Sequence, residues 1–553
     1  MEWGPTKGPS LSVGCYEFVE PISLTSKGMP LSYVGESHCK FREVGRKPVS
    51  ADCSQARDHF PELRDLDWPD RGSQAEFKSL MFQAGRSVKT NAPENLGQEI
   101  SRLEARYPKI RSRPCLRGNE WSYEECEAEI KKIAKCEINR KASPGVPLAA
   151  YGKTNAEVLD HHLDLVVHLT VSRLFALRDQ VIIGKPNPVD LVSSGLVDPV
   201  RLFVKQEPHP MKKIKDNRFR LISSVSLIDQ IIERLIFGPQ NKLEICLWDR
   251  IPSKPGMGMT LDKQCRSLWT DLAMCHSRVP AAEADISGFD WSVQDWELWA
   301  DLAIRISLGD FDDDLVKVAV NRWTCFMNSV FQLSDGTLIS QDAPGLMKSG
   351  SYCTSSTNSR IRCLMAYIIG SDWCIAMGDD SVEGYVANAR EKYASLGHIC
   401  KDYVPCAANY DTLLEVNFCS HVLRSERHWL TSWPKTLFKY LHATREDIDD
   451  LRMELESSPN WDRIQNYCAL LRGGHKDVDK EASHHERIED SLGCNIAGCP
   501  KTNWEGRLRE KEKTTSIQFE PGSDCYREST GEFWNYCSQI NPEVQWNFGE
   551  NCF

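Results

Sequence analysis

The sequence predicts an α+β fold in which helices alternate with short β-hairpins. Two apolar runs at 373–377 and 382–386 flank a tight polar turn, a pattern typical of a β-hairpin. Segments 160–177 and 227–245 instead carry apolar residues at helical spacing. Helices that alternate with hairpin strands favour the α+β class over a doubly wound parallel sheet. With 553 residues, the chain is long enough for roughly two to four subdomains.

The N-terminal half of the chain predicts an arm followed by helices. Residues 1–60 are rich in Gly, Pro and Ser and show little periodicity, so we expect an extended arm or linker. The segment 122–125, Ser-Tyr-Glu-Glu, is a capping box and predicts the start of a charged helix. Gly256 and Gly258 predict a turn before a helix that begins near Leu261.

The C-terminal half continues with helices. Apolar residues recur at helical spacing from Val293 to Ile304, and Ser292 is the expected N-cap, so the tryptophans of this helix should lie in the core. From about residue 431 the chain is charged and helix-prone, most clearly at 446–471. Beyond that segment it becomes polar and contains scattered cysteines.

Composition narrows the class of protein. No run approaches about 18 uninterrupted apolar residues, and the N-terminus lacks the pattern of a signal peptide, which predicts a soluble, non-secreted protein. The 22 cysteines are scattered through a large chain, and we expect reduced thiols rather than a disulfide framework. The net charge of −11 argues at first against nucleic-acid binding, because phosphate contacts need Lys and Arg.

The segment 201–220 nevertheless concentrates positive charge. It contains seven basic side chains and only two acidic ones, Glu207 and Asp216. A basic patch in an acidic protein can focus nucleotide or template at one channel while the exterior stays soluble. On this segment alone, a solvated basic loop is the alternative. The basic residues are Arg201, Lys205, Lys212, Lys213, Lys215, Arg218 and Arg220.

Two carboxylate-bearing segments predict a metal site. Asp285 and Asp290 follow a short apolar stretch, and Asp379 and Asp380 stand at the tip of the predicted hairpin. If these strands pair, their acidic ends meet. Converging aspartates are what two Mg²⁺ ions require for phosphoryl transfer. A Gly-Asp-Asp tripeptide taken alone is more often a solvated turn, so the prediction depends on both segments together.

The segment between the two acidic motifs predicts a ligand-binding helix. Ser349 and Gly350 form a turn ahead of an apolar stretch. If that turn enters a helix, Thr354 and Asn358 lie four residues apart on one face, where both can reach one ligand. A Ser/Thr-rich loop is the alternative.

In this order, the three segments resemble the RNA-dependent RNA polymerases of positive-strand RNA viruses. Residues 285–290 resemble motif A of that family, residues 349–358 resemble motif B, and residues 378–380 resemble motif C. The resemblance covers roughly residues 60–440. The stretch 68–72, Trp-Pro-Asp-Arg-Gly, is most similar to the sobemovirus and polerovirus group of plant viruses.

Four further motifs of the family have counterparts in the chain. They are motif F, which binds the nucleotide; motif G, which guides the template; motif D, which keeps a lysine; and motif E, the primer grip. Lys205, Arg218 and Arg220 resemble motif F, and Ser143 with Gly145 resembles motif G. Lys401 stands where motif D keeps its lysine, and residues 418–420 resemble motif E.

The resemblance implies a right-hand polymerase fold with fingers, palm and thumb, in which helices flank an antiparallel palm sheet. It places an N-terminal extension at 1–75 and the fingers with part of the palm at 76–275. The palm with motifs A to E follows at 276–430, with a fingers insertion at about 305–340. The thumb and a C-terminal tail are expected at 431–553.

The implied reaction is attack of an RNA 3′-hydroxyl on the α-phosphorus of a ribonucleoside triphosphate. Asp285 and Asp379 would bridge two Mg²⁺ ions, with Mn²⁺ as an alternative metal and Asp380 as an auxiliary ligand. Lys401 would protonate the leaving pyrophosphate. The nucleotide would contact Lys205, Arg218, Arg220, Asp290, Ser349, Gly350, Thr354 and Asn358.

The implied partners are an RNA template, the nascent RNA and ribonucleoside triphosphates. A viral protein primer and other replication proteins are further candidates. The implied location is the host cytoplasm, in membrane-associated replication complexes that the chain would join through partners rather than through a transmembrane segment.

Two other functions stay open. A non-catalytic RNA-binding replication scaffold could share this fold, although the intact carboxylates argue against it. A reverse transcriptase shares the same chemistry, but Asp290 with Asn358 suits the sensing of a ribose hydroxyl. Near the C-terminus we expect a polar surface segment rather than a zinc site, because the histidines are adjacent and the cysteines lie on a glycine-containing turn. That segment contains His484, His485, Cys494 and Cys499.

Overall fold

The structure is a computed structural model with a mixed α+β fold. Residues outside the described part of the chain include the candidate zinc ligands His484, His485, Cys494 and Cys499. The described residues are 11–471, except for 109–115, 117–120, 181, 183–184, 260–261, 407–412, 414, 426 and 444–446.

The strands of the described residues form four separate sheets. They are β1 Leu11–Val13, β2 Tyr16–Ser23, β3 Leu31–Ser37, β4 Leu66–Asp67, β5 Val200–Val204, β6 His209–Pro210, β7 Leu221–Ser224, β8 Ala281–Ile286, β9 Val330–Gln332, β10 Thr337–Gln341, β11 Cys374–Met377, β12 Asp380–Gly384, β13 Cys400–Pro405, β14 Val416–Phe418, β15 His421–Leu423 and β16 His428–Leu430.

The described residues also form α-helices. They are α1 Ala51–His59, α2 Ser73–Arg86, α3 Leu96–Glu104, α4 Tyr123–Cys136, α5 Asn155–Asp179, α6 Pro188–Ser193, α7 Met211–Lys215, α8 Leu227–Cys246, α9 Asp262–His276, α10 Asp295–Leu308, α11 Asp313–Met327, α12 Thr354–Ile368, α13 Ala389–Ser395, α14 Trp433–Tyr440, α15 Ile448–Glu456 and α16 Trp461–Leu471.

The largest sheet has seven strands, in the order β1-β2-β3-β10-β9-β5-β7. Its first three strands come from the segment predicted to be an extended arm, so that prediction was wrong for residues 11–37. The strand β3 pairs antiparallel with β10, about 300 residues later in the chain. Tyr16, Phe18 and Leu31 are buried. Local composition missed these strands because their pairing partner is distant in sequence.

A four-stranded sheet, in the order β11-β12-β8-β13, holds the acidic motifs. The predicted hairpin is confirmed: β11 and β12 are antiparallel, and Met377 pairs with Asp380. The strand β12 also pairs antiparallel with β8, where Ser381 lies opposite Ala284. The acidic ends of the two strands therefore meet, as the sequence predicted.

The predicted central helices are confirmed, with one cap corrected. The capping box at Ser122 opens α4, and α5 and α8 cover the segments with helical periodicity. In α10, Trp296 and Trp299 are buried as expected. The predicted N-cap of α10, Ser292, was wrong: the helix begins at Asp295, because the Ser292 hydroxyl instead contacts the turn before the helix.

The described residues fall into two compact units, one that ends at Trp461 and one that begins at Asp462. The first unit contains all four sheets. The described part of the second unit lies in α16, which confirms the helical character predicted for this segment. None of the described helices is both long enough and apolar enough to cross a membrane.

Candidate active site

Three carboxylates meet at one end of the four-stranded sheet. Asp285 is the last residue but one of β8, Asp379 lies in the hairpin turn, and Asp380 begins β12. Ser381 lies opposite Ala284, so antiparallel register places Asp380 beside Asp285 on the adjacent strand. Asp285 and Asp380 line a cavity of about 210 Å³.

Like charges crowd this end of the sheet. Loss of hydration raises the pKa of Asp380 to about 6, and the negative charges of Asp379 and Asp285 add to the shift. Carboxylate oxygens are the ligands that Mg²⁺ prefers, so the donor set fits this ion chemically. Among the described residues, no group of three or more His, Cys, Asp or Glu side chains has the geometry to hold a metal ion.

Lys401 lies beside the carboxylates on the neighbouring strand β13. Its Nζ donates to Asp285 Oδ2 at 3.0 Å and lies 2.7 Å from Asp402 Oδ2. The hydrogen bonds to Asp402 and then to Asp285 raise the pKa of Lys401, so the amine is charged at neutral pH. The side chain is 61% exposed, which leaves it free to turn toward a ligand in the cavity.

The helix α12 supports the hairpin turn through two residues that sequence reasoning missed. Ser359 Oγ accepts a hydrogen bond from the Gly378 N–H at 2.8 Å. The Arg362 guanidinium is fully buried, donates to the Asp379 carbonyl at 3.2 Å and also contacts Ser381 Oγ. In the sequence these two residues look like the other polar positions in the first half of this helix, so nothing local singled them out.

Asp290 and Asn358 come together, as the motifs suggested. Asn358 Nδ2 donates to Asp290 Oδ1 at 2.9 Å, while Asn358 Oδ1 is buried and has no partner among the described atoms. Loss of hydration raises the pKa of Asp290 to about 6, against the opposing effect of the Asn358 hydrogen bond. The negative charge of Asp379 raises the pKa of Asp290 further, whereas the positive charges of Arg220 and Lys205 lower it. The hairpin turn and the basic segment therefore both act electrostatically on Asp290.

The loop before α12 is attached to β7. The Ser223 N–H donates to Ser349 Oγ at 3.0 Å, and the Gly350 N–H donates to the Ser223 carbonyl at 3.0 Å. A Cβ at Gly350 would lie 2.3 Å from that carbonyl oxygen, so the close approach requires glycine. Thr354 Oγ1 contacts the Lys348 carbonyl at 2.9 Å. Thr354 and Asn358 therefore have different partners in this structure.

The basic segment is organised around Glu207. Lys205 Nζ lies 3.3 Å from one carboxylate oxygen of Glu207, and an Arg220 guanidinium nitrogen lies 3.8 Å from the other. Burial alone would raise the pKa of Glu207, but these two cations lower it. Arg218 pairs instead with Asp216 at 3.2 Å. Sequence reasoning gave Glu207 no role, although it is the residue that holds Lys205 and Arg220 together.

Ser143 and Gly145 form a turn against the start of α8. Ser143 Oγ accepts a hydrogen bond from the Gly145 N–H at 3.3 Å. A Cβ at Gly145 would lie 2.9 Å from Ser226 Cα, and the Leu227 N–H donates to the Pro144 carbonyl at 2.9 Å. This turn is thus joined to the chain that follows β7.

The chain matches known proteins over most of its length. A family model described as viral RNA-directed RNA-polymerase matches residues 50–433. The replicase polyprotein P2AB of Southern bean mosaic virus is 58% identical over 454 residues, which are 82% of this chain and 47% of that protein. The corresponding polyprotein of Southern cowpea mosaic virus is 54% identical over 83% of this chain and 48% of its own length.

Other relatives are less similar. Protein P1-P2 of potato leafroll virus is 35% identical over 440 residues, which are 74% of this chain and 39% of that protein. The chain spans about half the length of the most similar relatives named above. A family match over residues 50–433, together with relatives above 50% identity, means that the chain belongs to the viral RNA-directed RNA polymerases.

Proposed function

We propose that this chain is the template-directed RNA polymerase of a plant-virus replicase and that it copies viral RNA. The observation that supports this most directly is the meeting of Asp285 with Asp379 and Asp380 at one end of a single antiparallel sheet. Growth of the RNA chain consists of attack by a 3′-hydroxyl on the α-phosphorus of a ribonucleoside triphosphate. Positioning and charge neutralisation dominate such a reaction.

The proposed architecture is a right hand. The palm, at 276–430, consists of the four-stranded sheet with its flanking helices. The fingers with part of the palm occupy 76–275, with an insertion at about 305–340, and the thumb and tail occupy 431–553. The N-terminal extension, 1–75, contributes three strands to the seven-stranded sheet.

Asp285, Asp379 and Asp380 are the residues proposed to hold Mg²⁺, or Mn²⁺ in its place. When bound, two such ions supply charge neutralisation at the triphosphate and a more acidic 3′-hydroxyl. The family points to a divalent metal, and the crowded carboxylates agree with it. Burial is the main cause of the raised pKa of Asp380, the charges of Asp379 and Asp285 add to it, and a cation would relieve that repulsion.

Lys205, Arg218 and Arg220 are proposed to bind the triphosphate. Glu207 keeps Lys205 and Arg220 near each other. A triphosphate carries more negative charge than one carboxylate, so it competes well for both cations. The side chain of Arg220 is 63% exposed and can form a bidentate contact.

Lys401 is proposed to donate a proton to the leaving pyrophosphate. Its raised pKa means that it carries that proton at neutral pH. The partner Asp285 holds it at the edge of the cavity, close to where the triphosphate would lie.

Asp290 and Asn358 are proposed to recognise the ribose 2′-hydroxyl. The unpaired Asn358 Oδ1 can accept a hydrogen bond from that hydroxyl. Ser349, Gly350 and Thr354 shape the loop beside the incoming base. Ser143 and Gly145 are proposed to guide the template.

The proposed partners are an RNA template, the nascent RNA and ribonucleoside triphosphates, with a viral protein primer and other replication proteins as further partners. The proposed location is the host cytoplasm, in membrane-associated complexes reached through those partners.

The test is RNA synthesis by the purified chain. The protein is incubated with an RNA template, four ribonucleotides and Mg²⁺, with and without a complementary primer. The proposal expects a product whose sequence is complementary to the template. Tight RNA binding without any product would support a replication scaffold instead, and a preference for deoxyribonucleotides would support a reverse transcriptase.

A further inference from the structure

We infer that His398 is a positioning residue that fixes the strand of Lys401 against the turn that carries Asp290. The inference rests on the proposed polymerase function. His398 is fully buried, between α13 and β13. Its Nδ1 lies 2.9 Å from Ser292 Oγ, and its Nε2 lies 2.8 Å from Glu297 Oε1. A carboxylate only accepts hydrogen bonds, so the His398 Nε2–H donates to Glu297.

The ring of His398 contacts the segment that follows β8. It stacks on Phe289, with ring centroids 5.8 Å apart and an interplanar angle of 23°. Phe289 is the residue immediately before Asp290. The Ser292 hydroxyl also contacts the Phe289 carbonyl at 3.0 Å, so Ser292 joins the histidine to the same turn. One imidazole ring therefore holds this turn by stacking and by a hydrogen bond.

The backbone beside His398 leads directly to Lys401. The Ser287 N–H donates to the Ile399 carbonyl at 2.9 Å, and β13 begins at the next residue, Cys400. Lys401 then contacts Asp285 Oδ2 at 3.0 Å. His398 thus lies where the strand that carries Lys401 meets the turn that carries Asp290.

Glu297 anchors the histidine to a rigid element. It lies in the first turn of α10, is fully buried, and its Oε2 accepts a hydrogen bond from the Gln294 N–H at 2.8 Å. Both carboxylate oxygens of Glu297 are therefore occupied. The helix α10 and the Asp290 turn hold the histidine from two sides.

The serine, histidine and glutamate have the order of a hydrolase triad, but this reading fails on access. Ser292 is 8% exposed. The cavity beside it is about 10 Å³, which has room for one water molecule at most. No substrate carbonyl could reach the hydroxyl, so the arrangement has a positioning role.

The consequence concerns the rate of the chemical step. If the His398 ring is removed, the distance between the Lys401 strand and the Asp290 turn is no longer fixed. A misplacement of about 1 Å in a reacting group can cost about 100-fold in rate. We therefore expect His398→Ala to lower kcat between about 10- and 100-fold, while the KM for nucleotides and the affinity for RNA stay within about twofold.

The experiment compares His398→Ala with His276→Ala. His276 is a matched control, because it is also buried and its Nδ1 accepts a hydrogen bond from the Ala281 N–H at the opposite end of β8. Single-nucleotide incorporation gives kcat and KM, and thermal unfolding gives the loss of stability for each variant. His398→Gln, which keeps an N–H donor, should recover part of the rate.

A double-mutant cycle shows whether His398 acts through Lys401. If it does, His398→Ala should add little to the loss caused by Lys401→Ala. A second readout needs no polymerase activity: the rate at which an acylating reagent labels the Lys401 amine should rise several-fold in His398→Ala, because the Asp285 contact loosens.

The possible outcomes separate the two proposals. An inactive wild-type chain would count against the polymerase, while the labelling rate would still report on His398. Additive losses in the cycle, with labelling no faster than in His276→Ala, would overturn the positioning role and leave the proposed function intact.

Discussion

Replacing Asn358 with alanine tests how the site would choose its sugar. In the structure Asn358 Nδ2 donates to Asp290 Oδ1 at 2.9 Å, and Asn358 Oδ1 has no hydrogen-bond partner among the residues that the structure describes. A ribonucleotide would offer its 2′-hydroxyl to this pair, whereas a deoxyribonucleotide would leave the polar groups unsatisfied. One unsatisfied buried group costs about 1 to 3 kcal/mol, hence roughly 5- to 150-fold discrimination for each lost contact.

Asn358→Ala should therefore narrow the preference for ribonucleotides by a factor in that range, through a lower kcat/KM for the favoured substrate. Asp290→Ala should act in the same direction. The assay is single-nucleotide incorporation with matched ribo- and deoxyribonucleotides opposite one template base.

A control separates sugar recognition from general damage. Asn321 is fully buried, and its amide donates to the carbonyls of Leu177 and Gln180. Asn321→Ala should lower stability without changing the sugar ratio. If Asn358→Ala and Asp290→Ala both keep the wild-type ratio, the recognition role is refuted.

Three further predictions concern separate parts of the molecule. Lys205→Ala and Arg220→Ala should raise the apparent KM for nucleotides or lower kcat, and an unchanged nucleotide response with weaker RNA binding would show that they contact the template instead. Gly350→Ala should lower activity, because the new Cβ would lie 2.3 Å from the Ser223 carbonyl oxygen; unaltered kinetics would show that β7 yields easily. His209 is buried, and neither of its ring nitrogens has a hydrogen-bond partner within the described part of the chain. Burial lowers its pKa to about 4 from 6.5, so the unfolded chain takes up a proton first as the pH falls. The free energy of unfolding of the wild type should thus drop by roughly 3 kcal/mol more between pH 6.5 and pH 4 than that of His209→Leu. Urea unfolding at both pH values measures the two drops, and equal drops in the two proteins would contradict the prediction.

The parts of the site that the sequence predicts are those built from local pattern. Two apolar runs around a glycine turn are enough to place Asp379 and Asp380 at a hairpin tip. The helix after Ser349 follows in the same way from a turn and an apolar stretch. The meeting of Asp285 with these residues needed one further assumption, that the strands pair, which the register confirms.

The parts that the sequence could not predict depend on contacts between distant segments. Ser359 and Arg362 look like ordinary positions of a helix until the hairpin turn lies against them. Glu207 gains its role only when β5 and β7 pair and bring Arg220 close to Lys205. Ser292 matched the pattern of a helix cap, yet its hydroxyl bonds to His398, more than 100 residues away.

The substitution Asp379→Ala tests the central claim, that the carboxylates at the hairpin tip form the catalytic centre of a polymerase. Loss of a ligand from a preorganised charged site should cost several kcal/mol of barrier, hence at least about 10³ in rate. The control is Asp372→Ala, which removes a carboxylate whose side chain is 70% exposed, at the other end of β11.

Elongation and thermal unfolding should be measured together on both variants and on the wild type. Asp379→Ala should lose elongation while it unfolds at the wild-type temperature, and Asp372→Ala should keep both the elongation rate and the unfolding temperature. Elongation by Asp379→Ala within tenfold of the wild type, or a loss explained by unfolding, would contradict the central claim.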